Sequence, residues 1–136
     1  METIGGATFV FDHDGEPDLI GNELTGGAYR VTVGRGPVGE GPPMRIHPHT
    51  DEGFYVGEGE MAFIFPRREV VAAPGSFVFV PRGVEQTAQI TKPLRGLLIY
   101  SPGDAEHITQ PVCETPRDWR GLPERVSRRP RPTGGD

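Results

Sequence analysis

Four residues in one short segment have side chains suited to chemistry: Arg45, His47, His49 and Glu52. An imidazole and a carboxylate can each move a proton, and both can bind a metal ion. A guanidinium stays protonated, so Arg45 cannot be a metal ligand but can hold an anion through paired hydrogen bonds. Farther along the chain, the amide of Gln86 could polarise a carbonyl or offer its oxygen to a metal. This set suits proton transfer next to a bound anion better than metal chemistry.

The elements that carry these residues have the pattern of short β-strands. The 136 residues include 20 glycines and 15 prolines, spread along the chain, and apolar runs of strand length lie between them. This pattern is typical of an all-β sandwich or barrel with about nine or ten strands. A hairpin turn is predicted at residues 57–60, and a short helix at residues 104–110. The recognisable strands are 7–11, 28–33, 54–56, 61–65, 70–73, 76–80, 86–90 and 94–100.

Two segments resemble the paired motifs of the cupin family. The first, from Gly39 to Gly59, matches glycine, five residues, H-x-H, three or four residues, glutamate, six residues, glycine, with Arg45 replacing the first histidine. The second, from Gly75 to Gln86, matches glycine, five residues, P-x-G, two residues, histidine, with glutamine replacing that histidine. The chain is therefore similar to small single-domain bacterial cupins of the cupin-2 type, which include quercetinase-like and polyketide-cyclase-like proteins. The resemblance implies a double-stranded β-helix, or jelly-roll, barrel.

The resemblance also implies where a metal would bind. In relatives with the full motif, three imidazoles and one carboxylate bind a divalent transition metal, commonly iron, manganese, nickel or zinc. The matching positions here hold Arg45, His47, Glu52 and Gln86, so the metal site is degenerate and we expect no metal cofactor. A second alignment starts the H-x-H at His47, but it leaves a shorter gap before Glu52 than the family has. If a metal does bind, the expected ligands are His47, His49, Glu52 and Gln86.

Without a metal, such a barrel is expected to act on a small organic substrate. The residues favour isomerisation, dehydration or cyclisation of a carbonyl compound, and some similar small cupins do such chemistry in natural-product pathways. Two alternatives stay open: a metal-dependent dioxygenase of the quercetinase-like type, and a barrel that binds a ligand without catalysis. The expected catalytic residues are His47, Glu52 and Arg45. The expected substrate-binding residues are Arg45, Gln86, Phe54 and Phe79.

Charge and length set the remaining expectations. Residues 1–116 carry 8 basic and 16 acidic side chains, whereas residues 117–136 carry 6 arginines against 3 acids. An acidic body argues against nucleic acid as a partner, and no apolar run is long enough for a membrane span or a signal peptide, so we expect a cytoplasmic protein. We expect a loose N-terminus over residues 1–6, a barrel over 7–112, and a basic, partly disordered tail over 113–136. The family resemblance implies a homodimer.

Overall fold

A computed structural model describes residues 2–10, 18–103, 110–111 and 125–127 of the chain. Nearly all of them lie in β-strands or the turns between strands, and one short 3₁₀ helix covers Asn22–Thr25. None of the helical structure in these ranges is long and apolar enough to cross a membrane. The strands are β1 (Glu2–Ile4), β2 (Ala7–Phe9), β3 (Asp18–Ile20), β4 (Arg30–Gly36), β5 (Arg45–Ile46), β6 (Asp51–Phe65), β7 (Arg68–Ala72), β8 (Phe77–Val80), β9 (Thr87–Ser101), β10 (Gln110–Pro111) and β11 (Arg125–Ser127).

Two long antiparallel strands, β6 and β9, form the centre of the fold and pair along most of their length. Beside the first half of β6 and the last half of β9 lie β8, β4 and β3. Beside the other halves of the same two strands lies β7, which pairs with β6 and in turn with β11. The fold is thus the all-β double-stranded β-helix that the motifs predicted, with the two central strands shared by both layers.

The hairpin predicted at residues 57–60 is wrong, because β6 continues through this segment as one strand. The pairing with β9 shifts register between Val56 and Met61, which is the mark of β-bulges. Gly59 has a φ of +80°, and a side chain there would collide with the carbonyl of Pro93 on β9. Glycine is therefore required by the close approach of two strands rather than by a turn.

The bulge has a direct effect on the hydrophobic core. Before it, the even-numbered Phe54 and Val56 are buried in the core, and after it the odd-numbered Met61 and Phe63 are buried in the same cluster. Side chains alternate along a strand, so only a register shift lets both halves of β6 face one interior. The rings of Phe54 and Phe63 meet edge to face with centroids 5.9 Å apart, which joins the two layers.

Short strands lie in both terminal segments that the sequence analysis placed outside the barrel. Residues 2–4, within the segment predicted to be loose, form β1 and pair with β2 across the glycines at 5 and 6, both of which have positive φ. Glycine tolerates this conformation, so the pair supplies the turn of a tight hairpin. Residues 125–127, within the tail predicted to be partly disordered, pair with β7. The predicted helix at 104–110 lies outside the described residues, apart from Gln110, which begins β10.

Candidate functional site

A cavity of about 700 Å³ opens into the barrel on the inner face of β4, β6 and β9. One end is polar and holds Arg45, His47 and Glu52, whereas the middle is lined by apolar side chains that include Phe54 and Leu98. One wall is the loop of residues 37–44, which is held against β9 by backbone hydrogen bonds between residues 39–40 and Ile90. A cavity of this volume, with few polar groups at one end, has the form of a small-molecule site.

The polar end is built from three separate segments of the chain. Arg45 lies on β5, His47 follows that strand, and Glu52 is the second residue of β6. Gln86 forms an isolated bridge to Arg45 in which each backbone N–H donates to the other residue's carbonyl. All four side chains are more than nine-tenths buried, with exposures of 7% for Arg45, 3% for His47, 3% for Glu52 and 0% for Gln86. The structure therefore brings together the four positions that the motifs singled out.

One oxygen of Glu52 is the centre of this cluster. Glu52 Oε2 lies 2.8 Å from His47 Nε2 and 3.1 Å from Gln86 Nε2, and it is 3.4 Å from Arg45 Nη2. His47 Nε2 is also 3.3 Å from Arg45 Nε, but a nitrogen that donates a proton to Glu52 has no lone pair to accept one. The shorter distance favours the tautomer in which His47 Nε2–H donates to Glu52. Three donors thus converge on one buried carboxylate oxygen.

Two buried polar atoms of the same cluster have no hydrogen-bond partner among the described residues. They are Arg45 Nη1, a donor, and Gln86 Oε1, an acceptor. A buried polar atom without a partner costs about 1–3 kcal/mol, so such atoms mark places where a ligand or an ordered water completes the structure. Arg45 lines the cavity. Its unpartnered nitrogen therefore belongs to a group that can bind an anionic oxygen of a ligand.

A surface ion pair fixes the turn that carries Gln86. Asp51, next to Glu52, accepts hydrogen bonds from the backbone N–H of Arg82 at 2.9 Å and from its Nε and Nη2, each at 3.1 Å. The side-chain hydrogen bonds from Arg82 hold the pKa of Asp51 below its usual value. In the same turn, Gly83 has a φ of +82° and donates its N–H to the carbonyl of His47 at 2.8 Å. These contacts hold the P-x-G turn against β6 beside the site.

Three of the residues assigned to the site from sequence lie in different surroundings. Phe54 is buried and lines the cavity as expected. Phe79 is 62% exposed and does not line the cavity, because it pairs with Gly53 and so points away from the face that holds Glu52. His49 is exposed and makes no contact with the cluster around Glu52 that the structure records. The expectation that Phe79 lines the substrate site is thus not supported by its position.

Sequence reasoning missed two cavity residues, Arg30 on β4 and Tyr100 on β9. They are cross-strand neighbours, and the guanidinium carbon of Arg30 lies 5.2 Å from the centre of the Tyr100 ring. Tyr100 is also paired with Glu52, and its ring meets that of His47 edge to face at 6.1 Å. The available signal was Arg30 itself, because an arginine in an apolar strand marks a position that packing does not explain.

The family model described as Cupin domain matches residues 27–105, more than half of the chain. The chain belongs to the cupin domain family. Comparison of this cupin with curated protein sequences finds no match. The Arg45, His47, Glu52 and Gln86 cluster lies within the matched residues.

Solved structures share the fold of this cupin. A protein with a double-stranded β-helix domain from Klebsiella pneumoniae is 19% identical, with a TM-score of 0.58 over 74% of this chain and 89% of that one. KdgF from Halomonas sp. is 16% identical, with a TM-score of 0.59 over 71% and 94%. The EutQ protein of Clostridium difficile is 21% identical, with a TM-score of 0.55 over 65% and 62%. At these identities the likeness establishes the fold alone.

The residues at the family's metal-binding positions do not fit a tightly held transition metal. Only His47 and Glu52 are strong ligand types, and their facing atoms are already joined at 2.8 Å. A guanidinium stands 3.3–3.4 Å from both of those atoms, where its positive charge would repel a divalent cation. Within residues 2–10, 18–103, 110–111 and 125–127, no group of three or more histidine, cysteine or acidic side chains is arranged to hold a metal ion.

Proposed function

We propose that this cupin is a metal-independent enzyme that moves a proton on a small carbonyl compound, in an isomerisation, dehydration or cyclisation. The observation that carries the proposal is the meeting of a carboxylate, an imidazole and a guanidinium at one end of the cavity, with Arg45 Nη1 lacking a partner among the described residues. Proton abstraction next to a carbonyl needs a base and a fixed positive charge. Glu52 and Arg45 supply them.

The proposed step begins with the substrate carbonyl oxygen accepting a hydrogen bond from Arg45. Glu52 takes a proton from the adjacent carbon, and the electron pair of the broken C–H bond forms an enolate whose oxygen is stabilised by Arg45. The proton then returns to another carbon, which gives an isomer, or to a departing hydroxyl group, which leaves as water. His47 donates to Glu52 Oε2 and so fixes the carboxylate during the transfer.

Gln86 has a positioning role in this proposal. Its Nε2–H donates to Glu52 Oε2, and it has the lowest exposure of the four residues in the cluster. Gln86 is absent from the lining of the cavity. It therefore acts on the substrate through Glu52 and not by direct contact, which changes the substrate-binding role expected from the sequence into a supporting one.

The experiment follows exchange of carbon-bound hydrogen. The protein is incubated in D₂O with a panel of small ketones and oxo acids, and ¹H NMR records loss of the signal from protons next to the carbonyl. We expect exchange with the native chain and a rate at least ~100-fold lower with Glu52→Gln, since loss of a general base costs about 10²–10⁴ in rate. Glu58→Gln is the matched control, because Glu58 lies on the same strand, is exposed, and does not line this cavity.

Two outcomes would contradict the proposal. Full exchange activity in Glu52→Gln would show that Glu52 is not the base. Loss of activity in EDTA, with recovery when iron, manganese, nickel or zinc is added, would favour the metal-dependent dioxygenase class instead. Elemental analysis of protein purified without chelators gives an independent reading of the second point. If compounds of the panel bind to the native chain but give neither exchange nor product, the hypothesis of a non-catalytic ligand-binding barrel replaces that of an enzyme.

A further inference from the structure

The cavity lining contains cationic side chains, although the chain as a whole is acidic. The formal net charge of the chain is −5. The described residues that line the cavity include Arg30 and Arg45 and the acids Glu40 and Glu52. Arg35 borders the cavity, but it is exposed and lies on the opposite face of β4 from Arg30. The charge of Glu52 is met by Arg45 and by the hydrogen bonds around it. A guanidinium that lines a concave site attracts an anionic group, even on an acidic protein.

Arg30 has a defined place relative to the proposed reaction site. Arg30, Tyr100 and Glu52 are consecutive partners across β4, β9 and β6 and lie in one row. Adjacent strands are about 4.8 Å apart, so the backbones of Arg30 and Glu52 are ~10 Å apart with Tyr100 between them. All three residues line the same cavity. A ligand that touches both Arg30 and Glu52 must therefore lie along the Tyr100 ring.

The ring of Tyr100 fixes the cation at this position. The guanidinium carbon of Arg30 is 5.2 Å from the ring centre, within the range of a cation–π interaction. The Tyr100 ring also meets the His47 ring, with centroids 6.1 Å apart and an interplanar angle of 82°. Tyr100 thus links the anchored cation to the His47 and Glu52 pair. Tyr100 therefore lies between a positive charge and the proposed proton-transfer site in the row of strand partners.

We propose that Arg30, held by Tyr100, binds the carboxylate of the substrate, so that the substrate is an oxo acid whose reacting carbonyl lies apart from its carboxylate. This inference rests on the proposed function, because it takes the Arg45 and Glu52 end as the place where the carbonyl reacts. Because the backbones of Arg30 and Glu52 are ~10 Å apart and both residues line the cavity, we expect a short substrate, with about four to six carbon atoms. The apolar middle of the cavity, with Phe54 and Leu98, contacts that chain. A planar guanidinium matches a carboxylate through two parallel hydrogen bonds.

The test compares acids with their neutral esters. Isothermal titration calorimetry measures the affinity of the native chain for four- to six-carbon oxo acids, including levulinate, and for the methyl ester of each. We expect at least one acid to bind ~10-fold or more tightly than its ester, which is the size of a single charge-assisted pair. In Arg30→Gln the acid and its ester should bind equally. Equal affinities in the native chain, no measurable binding of any acid, or an unchanged preference in Arg30→Gln would each overturn the proposal.

Two further variants separate this subsite from its alternatives. Arg35→Gln removes an exposed arginine on the opposite face of β4, five residues and so ~17 Å along the strand, and this variant should keep the preference for acids. If Arg35→Gln also loses the preference for acids, that preference comes from the overall charge and not from a subsite at Arg30. Glu52→Gln should also keep the preference, so failure of the proton-transfer mechanism is distinguishable from failure of the subsite. If Arg30→Gln does not fold, Arg30→Lys takes its place, because it keeps the positive charge. We then expect a weaker preference for the acid over its ester, and an unchanged preference contradicts bidentate binding by Arg30.

Discussion

Loss of Glu52 should destabilise the fold more than loss of Arg45, although the two residues form one ion pair. Arg45→Met leaves the carboxylate with hydrogen bonds from His47 at 2.8 Å and Gln86 at 3.1 Å. Glu52→Gln leaves the buried guanidinium without a negative partner among the described residues, since Glu52 is the acid that it contacts there. A hydrogen bond to a charged group contributes about 1.5–3 kcal/mol, and an uncompensated buried charge costs about 3–5 kcal/mol.

These magnitudes give a quantitative expectation for the free energy of unfolding. The 3.4 Å separation of Arg45 Nη2 and Glu52 Oε2 is long for a strong pair, so we place Arg45→Met at a loss of about 1–2 kcal/mol. Glu52→Gln keeps an oxygen that accepts hydrogen bonds but lacks the charge, and we place it at about 2–3 kcal/mol. The double variant should lose at least ~1 kcal/mol less than the sum, because the two side chains interact directly.

Urea unfolding followed by circular dichroism measures all three variants. Lys92→Met is the control, because its ion pair with Glu60 is exposed and such pairs contribute about 1 kcal/mol or less. Strict additivity, or a larger loss for Arg45→Met than for Glu52→Gln, would refute the reasoning, since either result means that Arg45 is not held by Glu52. The slope of the unfolding free energy with urea should be the same in all variants.

Two other predictions concern features outside the cavity. Hydrogen bonds from Arg82 lower the pKa of Asp51. The difference in urea midpoint between the native chain and Asp51→Asn should therefore be constant at neutral pH and shrink as the pH falls below about 3.8, the ordinary pKa of an aspartate. A difference that grows as the pH falls contradicts this expectation. The homodimer implied by the family resemblance stays a prediction. Phe77 and Phe79 are 57% and 62% exposed on one outer sheet face, and we expect the Phe77→Ser, Phe79→Ser double variant to halve the mass seen by light scattering. An equal mass for the native chain and the double variant would show that the face with Phe77 and Phe79 is not the dimer interface.

The sequence predicted the fold and the central cluster because both depend on fixed spacing. Glycines, prolines and short apolar runs indicated a β-barrel, and the two motifs placed Arg45, His47, Glu52 and Gln86 at positions that the structure brings within hydrogen-bond reach. Such positions can be read from one chain because each lies a set number of residues from a turn or a strand end. Periodicity then decides on which side of a strand each side chain lies.

The failures come from relations between strands, which a single sequence does not contain. Gly59 reads as a turn residue, and only the nearby carbonyl of Pro93 shows that it sits in a bulge. Phe79 was placed in the cavity without the register that pairs it with Gly53. The row of Arg30, Tyr100 and Glu52 joins residues up to 70 positions apart, and no local pattern connects them. Cross-strand register is set by the whole fold.

The bulge in β6 also limits how this chain can change in length. Removing a single residue between Val56 and Met61 would reverse the direction of every later side chain on the strand, so that Phe63 would leave the interior and its neighbours would enter it. A change of length is tolerated better in a loop than in a strand, and the loop of residues 37–44 forms one wall of the cavity. In this fold, a segment outside the strands contributes a wall of the cavity, so specificity can diverge while the barrel stays constant.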